Sequence, residues 1–366
     1  MGQLTSIIQS GVGSTSSHSR VSTPGRMNDL EKAVQRWSYS YPKATSTHAL
    51  EVTSEKGELK QDLASSIRPI VVPFIQGLGH KPSTQLDNER LWLSSLAKVA
   101  SMDIPCPENS GNWKRLKVGF SYAHHCYPNH PLEVQVFIAV FTLLVQQLDD
   151  FTPEGMQDIE KFVPRLCTGE QQPTNVLRGL AQLMLEVHDH WSPVPANLII
   201  SSCLNFVTSA IIEHKRLVRR ETQFRSGKAW AYYLRNLDGL GDAFAIFTFP
   251  SALYPDTSKF LQAIPDMAMY IVFANDIISF YKEELAGEDG NYAHSRAIYN
   301  SKDVVTTLND IVEDTEACYR RIRELLMSGG SDGQPYAKAW QAHEQGYIDF
   351  HRNSGRYKLE KLGLSF

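Results

Sequence analysis

Asn275-Asp276-Ile277-Ile278-Ser279-Phe280-Tyr281-Lys282-Glu283 sets three oxygen-bearing side chains four residues apart, at Asn275, Ser279 and Glu283. On a helix of about 3.6 residues per turn, positions four and eight apart fall on one stripe, so the three point the same way. A carboxamide, a hydroxyl and a carboxylate are hard donors of the kind magnesium takes. That ion usually keeps water and substrate phosphate for its remaining positions. Around the stripe, Met267, Met269, Ile271, Val272, Phe273, Ile277, Ile278 and Phe280 make the segment apolar nearly all round. Polar groups aligned on a buried helix need a partner, because burying them unpaired is costly. A helix whose Asn and Ser are satisfied by neighbours is the plainer alternative.

Upstream, a segment apolar along Val134, Phe137, Ile138, Val140, Phe141, Leu144 and Val145 ends in Leu148-Asp149-Asp150. Two carboxylates at a helix C-terminus oppose the partial negative charge already there, an arrangement tolerated where a cation binds. A solvated turn is the alternative. Thr152-Pro153-Glu154 follows, and a residue before proline leaves the α region, so the helix breaks there. A third stretch, Leu234-Arg235-Asn236-Leu237-Asp238-Gly239-Leu240-Gly241, begins 41 residues before Asn275 and carries an arginine, whose planar fork fits phosphate. Near the C-terminus, Gly355 is suited to end a helix and to leave Arg356 and Tyr357 on the turn beyond.

In this order the four stretches resemble the motifs of the trichodiene synthase family of fungal class I sesquiterpene synthases. The nonapeptide resembles its (N/D)DxxSxxKE metal motif. The Asp149-Asp150 pair resembles its aspartate-rich motif, usually DDxx(D/E), with a departure: the fifth position is Pro153, and the acid, Glu154, comes one place late. Arg235 before Gly-Leu-Gly is similar to the family's diphosphate-sensing arginine, and Arg356-Tyr357 to its Arg-Tyr pair. A looser likeness runs through Gly119-Phe120-Ser121-Tyr122, so the resemblance spans roughly 110 to 360. It implies an all-α, single-domain helical bundle around a central active-site cavity. The implied reaction is magnesium-dependent ionisation of farnesyl diphosphate, cyclisation of the carbocation to a trichodiene-like or longiborneol-like sesquiterpene, and release of diphosphate.

The roles implied by the resemblance follow residue by residue. Of three magnesium ions, Asp149 would hold one pair and Asn275, Ser279 and Glu283 the third. Arg235, Lys282, Arg356 and Tyr357 would donate to the diphosphate. Asp150 would steer Arg356, with Glu154 close to the ligands. Phe137, Phe141, Phe273 and Tyr232 are candidates for aromatic faces that stabilise the cation, against the plainer reading of core. A homodimer is implied by the family alone. Competing readings are a chain-elongating prenyltransferase, which would carry two aspartate-rich motifs, and a non-catalytic helical binding protein.

The 366 residues, 42% of them hydrophobic, can build a substantial core, and a net charge of −4 argues against a nucleic-acid binder. Five widely spaced cysteines without a CxxC pair suit a reducing, cytoplasmic setting. The longest uncharged apolar run, Val136 to Val145, is shorter than the roughly 20 residues of a membrane span. The N-terminus lacks a secretory h-region, and Met1-Gly2-Gln3-Leu4-Thr5-Ser6 fits the loose N-myristoylation pattern. Residues 1–25, rich in Ser, Gly and Thr, are expected to be a disordered tail, and 26–366 a single helical domain that opens with an amphipathic segment at 27–37.

Three-and-four spacing predicts helices at 55–77, 84–101, 112–126, 131–150, 153–166, 174–190, 196–222, 227–237, 240–249, 257–286, 302–327 and 335–353. Ser301-Lys302-Asp303 is read as one helix start and Gly329-Gly330 as its end. His124, His125 and His130 lack a helical ligand spacing, His188-Asp189-His190 suits a helix C-terminus, and Arg216, Arg219 and Arg220 read as a solvated basic run.

Overall fold

Helix starts in this chain are marked by side chains that accept from backbone N–H groups the helix itself leaves free. In the computed structural model, which describes residues 51–79, 88–149, 153–215, 217 and 226–364, Asn88 accepts from Leu91 N at 3.1 Å. Ser110 does the same for Trp113 N at 3.1 Å and Asp303 for Thr306 N at 2.8 Å. Among the described residues all regular structure is helical. The helices are α1 (Glu51–Gly77), α2 (Glu89–Ser101), α3 (Gly111–Cys126), α4 (Leu132–Asp149), α5 (Pro153–Glu160), α6 (Phe162–Thr168) and α7 (Asn175–His190). Then come α8 (Pro193–His214), α9 (Ala229–Asp238), α10 (Gly241–Phe247), α11 (Ile264–Ala286), α12 (Tyr292–Asn300), α13 (Val304–Met327) and α14 (Gln334–Asn353).

The chain divides into two compact units, Met1–Ser54 and Glu55–Phe366. Of the first, only the residues from Glu51 on are described. The expected tail at 1–25 and the amphipathic segment at 27–37 lie outside the described residues, as do Arg216, Arg219 and Arg220. The second unit is built around α4 and α11. Helix α4 packs against α2, α3 and α7, while α11 packs against α9, α10 and α13; α8 touches α4, α9 and α10, and α14 lies on α3. Close approach is decisive where α3 crosses α4, since a Cβ on Gly119 would sit 2.1 Å from the Ala139 carbonyl oxygen. All five cysteines are free thiols.

Several boundaries differ from expectation for local physical reasons. The 153–166 segment is two short helices, and 257–263 is two turns of 3₁₀ helix that hand over to α11 at Ile264. Helix α12 was not anticipated; Asn291 starts it by accepting from His294 N at 3.1 Å. Ser301 ends α12 in the left-handed region (φ 55°), which leaves Asp303 alone to cap α13.

The expectation about apolar length also needs correction. Leu132–Asp149, Pro193–His214 and Leu261–Ala286 are long and apolar enough to cross a membrane once an occasional polar residue is tolerated. In the first and third, 72% and 78% of the apolar window is buried inside the bundle. A helix that is hydrophobic all round can be a domain's core as well as a membrane span, and these two are core. In Pro193–His214 the buried share is 44%.

Candidate active site

One open cleft of about 200 Å³ gathers residues from four helices: Glu213 from α8, Arg235 and Asp238 from α9, Asn275, Asp276 and Glu283 from α11, and Tyr292 from α12, with Asn291 at the α12 cap. From the polar stripe of α11, Asn275 and Glu283 line it. The helix ends where Gly287 (φ 75°) turns left-handed and donates back to the Glu283 and Glu284 carbonyls.

Arg235 reaches this stripe from α9. Its Nε donates to Asp276 Oδ2 at 3.0 Å and Nη2 lies 2.9 Å from Oδ1; Nη1 donates to Asp238 at 2.8 Å and Nη2 to the Val272 carbonyl at 3.1 Å. A longer contact, 3.5 Å, joins Nη2 to Asn275 Oδ1. Burial works against the guanidinium's charge, yet Asp276 and Asp238 outweigh it and hold its pKa above the ordinary value. Burial pushes the Asp276 carboxyl up to about 7 against the pull of Arg235. Immediately after α9, Leu240 takes φ 51°, ψ 24°, a left-handed conformation that leucine adopts at a cost. Gly241 then provides room: a Cβ there would meet the Ala268 carbonyl oxygen at 2.7 Å. The α9–α10 break is thus held tightly against α11, and Arg235 with it.

The three predicted ligands of α11 are in different situations. The Ser279 hydroxyl is 2% exposed and finds no hydrogen-bond partner among the described residues. Buried hydroxyls elsewhere in the core donate to the carbonyl four residues back: Ser95 to Leu91 and Thr142 to Ile138, both at 2.8 Å, and Thr315 to Ile311 at 2.6 Å. Ser279 makes no such bond, and an unsatisfied buried hydroxyl costs about 1–3 kcal/mol. Glu283 is half-buried; Asn291 Nδ2 donates to its Oε2 at 3.0 Å, and Lys282 Nζ lies 3.6 Å from Oε1. Asn275 Nδ2 lies 3.3 Å from Nε2 of His351, and its side chain is also hydrogen-bonded to Tyr357.

Tyr357 is buried, which pushes its hydroxyl up to about 12, and its ring lies 4.5 Å from that of His351. Arg356, next to it, is exposed. The Arg-Tyr pair therefore splits, the tyrosine inward onto Asn275 and the arginine outward. Lys282 also lies 3.8 Å from Glu288.

Asp149 is exposed at the last position of α4. Its charge is felt at Glu213, whose pKa is pushed up to about 7 by desolvation and by the Asp238 and Asp149 carboxylates, against Arg235. Asp149 itself is not among the residues that line the cleft. Asp150 and the side chain of Glu154 lie outside the described residues. Sequence reasoning missed Glu213, Asp238, Asn291 and His351, which come from three other helices and a cap and share no local pattern with the stripe.

The four aromatic candidates separate into two groups. Phe273 stacks on Tyr292 at 5.1 Å and meets Tyr232 edge-on at 5.9 Å, beside the cleft that Tyr292 lines. Phe137 and Phe141 belong to a buried knot with Phe247 and Trp191, with centroids 5.1–6.2 Å apart. They read as core.

Among the described residues no three His, Cys, Asp or Glu side chains converge to hold a metal ion. A metal here would have to use the mixed Asn, Ser and Glu set. The partnerless Ser279 oxygen, on the same stripe as Asn275 and Glu283, fits that requirement.

Known proteins share this fold. The linalool/nerolidol synthase from Streptomyces clavuligerus in complex with 2-fluorogeranyl diphosphate superposes with a TM-score of 0.55 at 14% identity, covering 74% of this chain and 100% of that one. The shared fold is the all-α fold of class I terpene synthases. The family described as trichodiene synthase (TRI5) matches residues 114–363. Longiborneol synthase CLM1 of Gibberella zeae is 35% identical over 306 residues, 82% of this chain and 89% of that one. Terpene synthase BipA of Cochliobolus sativus is 36% identical over 242 residues, 66% of this chain and 74% of that one. The chain belongs to the trichodiene synthase family. Its activity is that of a sesquiterpene synthase, a carbon–oxygen lyase acting on a prenyl diphosphate, in a family that depends on divalent metal.

Proposed function

We propose that the substrate is farnesyl diphosphate, that the metal is magnesium in three ions, and that the cleft is where diphosphate is pulled from the carbon chain before cyclisation. The observation that carries this reading is the buried Ser279 hydroxyl left without a partner between Asn275 and Glu283. Asn275, Ser279 and Glu283 would hold one ion. Asp149, with Asp150, would hold the others, and Glu213, which lines the cleft, would serve as the acid that Pro153 displaces from the aspartate-rich motif. When bound, the ions supply positive charge against which the leaving diphosphate's negative charge can build.

The chain's own groups do the rest. Lys282, beside Glu283, and the exposed Arg356 would donate to diphosphate, and Tyr357 would add a hydroxyl next to Asn275. Arg235 has its donors on Asp276, Asp238, Val272 and Asn275, so it holds α9 against the stripe as well as standing at the diphosphate's approach. Tyr232, Phe273 and Tyr292 form an aromatic group beside the cleft, and one aromatic face is worth about 0.5–2 kcal/mol toward a carbocation. A carbocation formed here would need the apolar core to shield it from water, which would otherwise quench it.

Purified protein incubated with farnesyl diphosphate and magnesium, with volatile products separated by gas chromatography, tests the reading. A cyclic sesquiterpene hydrocarbon or alcohol is expected. Longer linear diphosphates formed on adding isopentenyl diphosphate would make it a chain-elongating enzyme instead, and diphosphate release without a hydrocarbon product would remove the cyclisation step.

A further inference from the structure

One of the side chains that hold Asn275 is on another helix, 76 residues away in sequence. His351 is 1% exposed on α14. Its Nδ1 lies 2.7 Å from the Tyr347 carbonyl oxygen, which can only accept, so Nδ1 carries the hydrogen. Nε2 then presents a lone pair, and the Asn275 group 3.3 Å away is read as the amide NH₂, which can donate to it. Satisfying Nε2 in this way turns the Asn275 oxygen to the opposite side, where Arg235 Nη2 meets it at 3.5 Å on the cleft side. The imidazole has little freedom of its own, being edge-on to Tyr347 at 4.4 Å and tilted against Tyr357 at 4.5 Å.

We infer that His351 is a positioning residue that sets the Asn275 carboxamide with its oxygen toward the metal site, and that links the stripe of α11 to Tyr357 on the C-terminal turn. This rests on the reading of Asn275 as a metal ligand. An amide is nearly symmetric in shape, so without His351 only the long 3.5 Å contact to Arg235 and the bond to Tyr357 hold Asn275, and its NH₂ can turn into the cleft, where it would repel a cation. Partners behind a metal ligand typically contribute roughly 10- to 100-fold in metal affinity.

The test titrates magnesium with inorganic pyrophosphate into the purified protein by calorimetry and follows thermal melting of each variant without metal. Asn275→Ala addresses the underlying reading: unchanged magnesium–pyrophosphate binding there would remove Asn275 as a ligand. For the inference, His351→Gln places an oxygen acceptor about where Nε2 lies, whereas His351→Asn can still serve the Tyr347 carbonyl but cannot reach Asn275. His351→Gln should bind within a few-fold of the unaltered protein and His351→Asn roughly 10- to 100-fold more weakly. Adding His351→Asn to Asn275→Ala should cost nothing further. Equal binding by the Gln and Asn variants, or an additive loss in the double variant, would overturn the inference while leaving Asn275's own role intact.

Discussion

Ser279 is the residue in which stability and function separate most cleanly. Its hydroxyl is buried and unpartnered, so removing it costs the apo protein nothing in hydrogen bonding. Ser279→Ala should melt at the same temperature as the unaltered protein or above it, by up to about 3 kcal/mol. The magnesium concentration for half-maximal turnover should rise at least ~10-fold, since one of three ligands is gone. A variant that melts lower and keeps its magnesium dependence would show that the hydroxyl has an unseen structural partner. Tyr357 and Arg356 are separable in the same manner. Tyr357→Phe removes a single hydrogen bond to Asn275, worth about 0.5–1.5 kcal/mol, and should lower kcat/KM by roughly tenfold or less. Arg356→Ala removes an exposed cation suited to diphosphate and should cost considerably more, on the order of 100-fold. Equal, severe losses would give the tyrosine a different task.

Among the elements, α12 connects local helix chemistry to the site. Asn291 both caps this helix, through Oδ1 to His294 N, and steadies Glu283, through Nδ2 at 3.0 Å. The two tasks can be split by substitution. Asn291→Ser retains a capping oxygen but is too short to reach Glu283, so its melting temperature should stay close to the unaltered value while its magnesium requirement rises several-fold. Asn291→Ala loses both and should also be destabilised, by about 1 kcal/mol. Melting curves and magnesium titrations of the pair check this; identical magnesium dependence for Asn291→Ser and the unaltered protein would sever α12 from the site. The expected helix series lacked α12 because its nine residues, Tyr-Ala-His-Ser-Arg-Ala-Ile-Tyr-Asn, carry a weak apolar stripe of their own. The helix stands because α9 and α13 pack on it.

For the whole molecule, the bundle also buries charge away from the cleft. Glu344 on α14 is 4% exposed and accepts from Trp340 Nε1 at 2.6 Å. Burial pushes its carboxyl from 4.5 up to about 7, against Arg323 and the Trp340 N–H. With the folded value above the unfolded one, the neutral acid's stabilising contribution is fully present below about pH 4.5 and is lost as pH rises through about 7. Glu344→Gln has no proton to release and should gain on the unaltered protein across that interval, by roughly 3 kcal/mol at most. Melting temperatures of the two proteins at pH 5 and pH 8 measure the difference; a constant gap would mean that Glu344 is ionised throughout. The same bundle explains why composition misjudged membrane-length helices. Tolerating an occasional polar residue, α4 and α11 reach spanning length, and only their neighbours show them to be core.

What the sequence determined by itself is what a single helix can carry. The four-residue spacing of Asn275, Ser279 and Glu283, the paired acids ending α4, and the break after Arg235 are local facts, governed by a 3.6-residue repeat and by backbone preferences a few residues long. Together with the family motifs they were enough to anticipate an all-helical terpene synthase. The tertiary structure alone decided which polar atoms acquired partners. Ser279 was left bare, Arg235 was committed to Asp276 and Asp238, Glu213 was brought from α8 to the cleft that Arg235 and Asp238 line, and His351 was set behind Asn275. Most of those pairings join residues dozens of positions apart, and their energies arise from contact and desolvation in the folded interior, for which no spacing along the chain is a substitute.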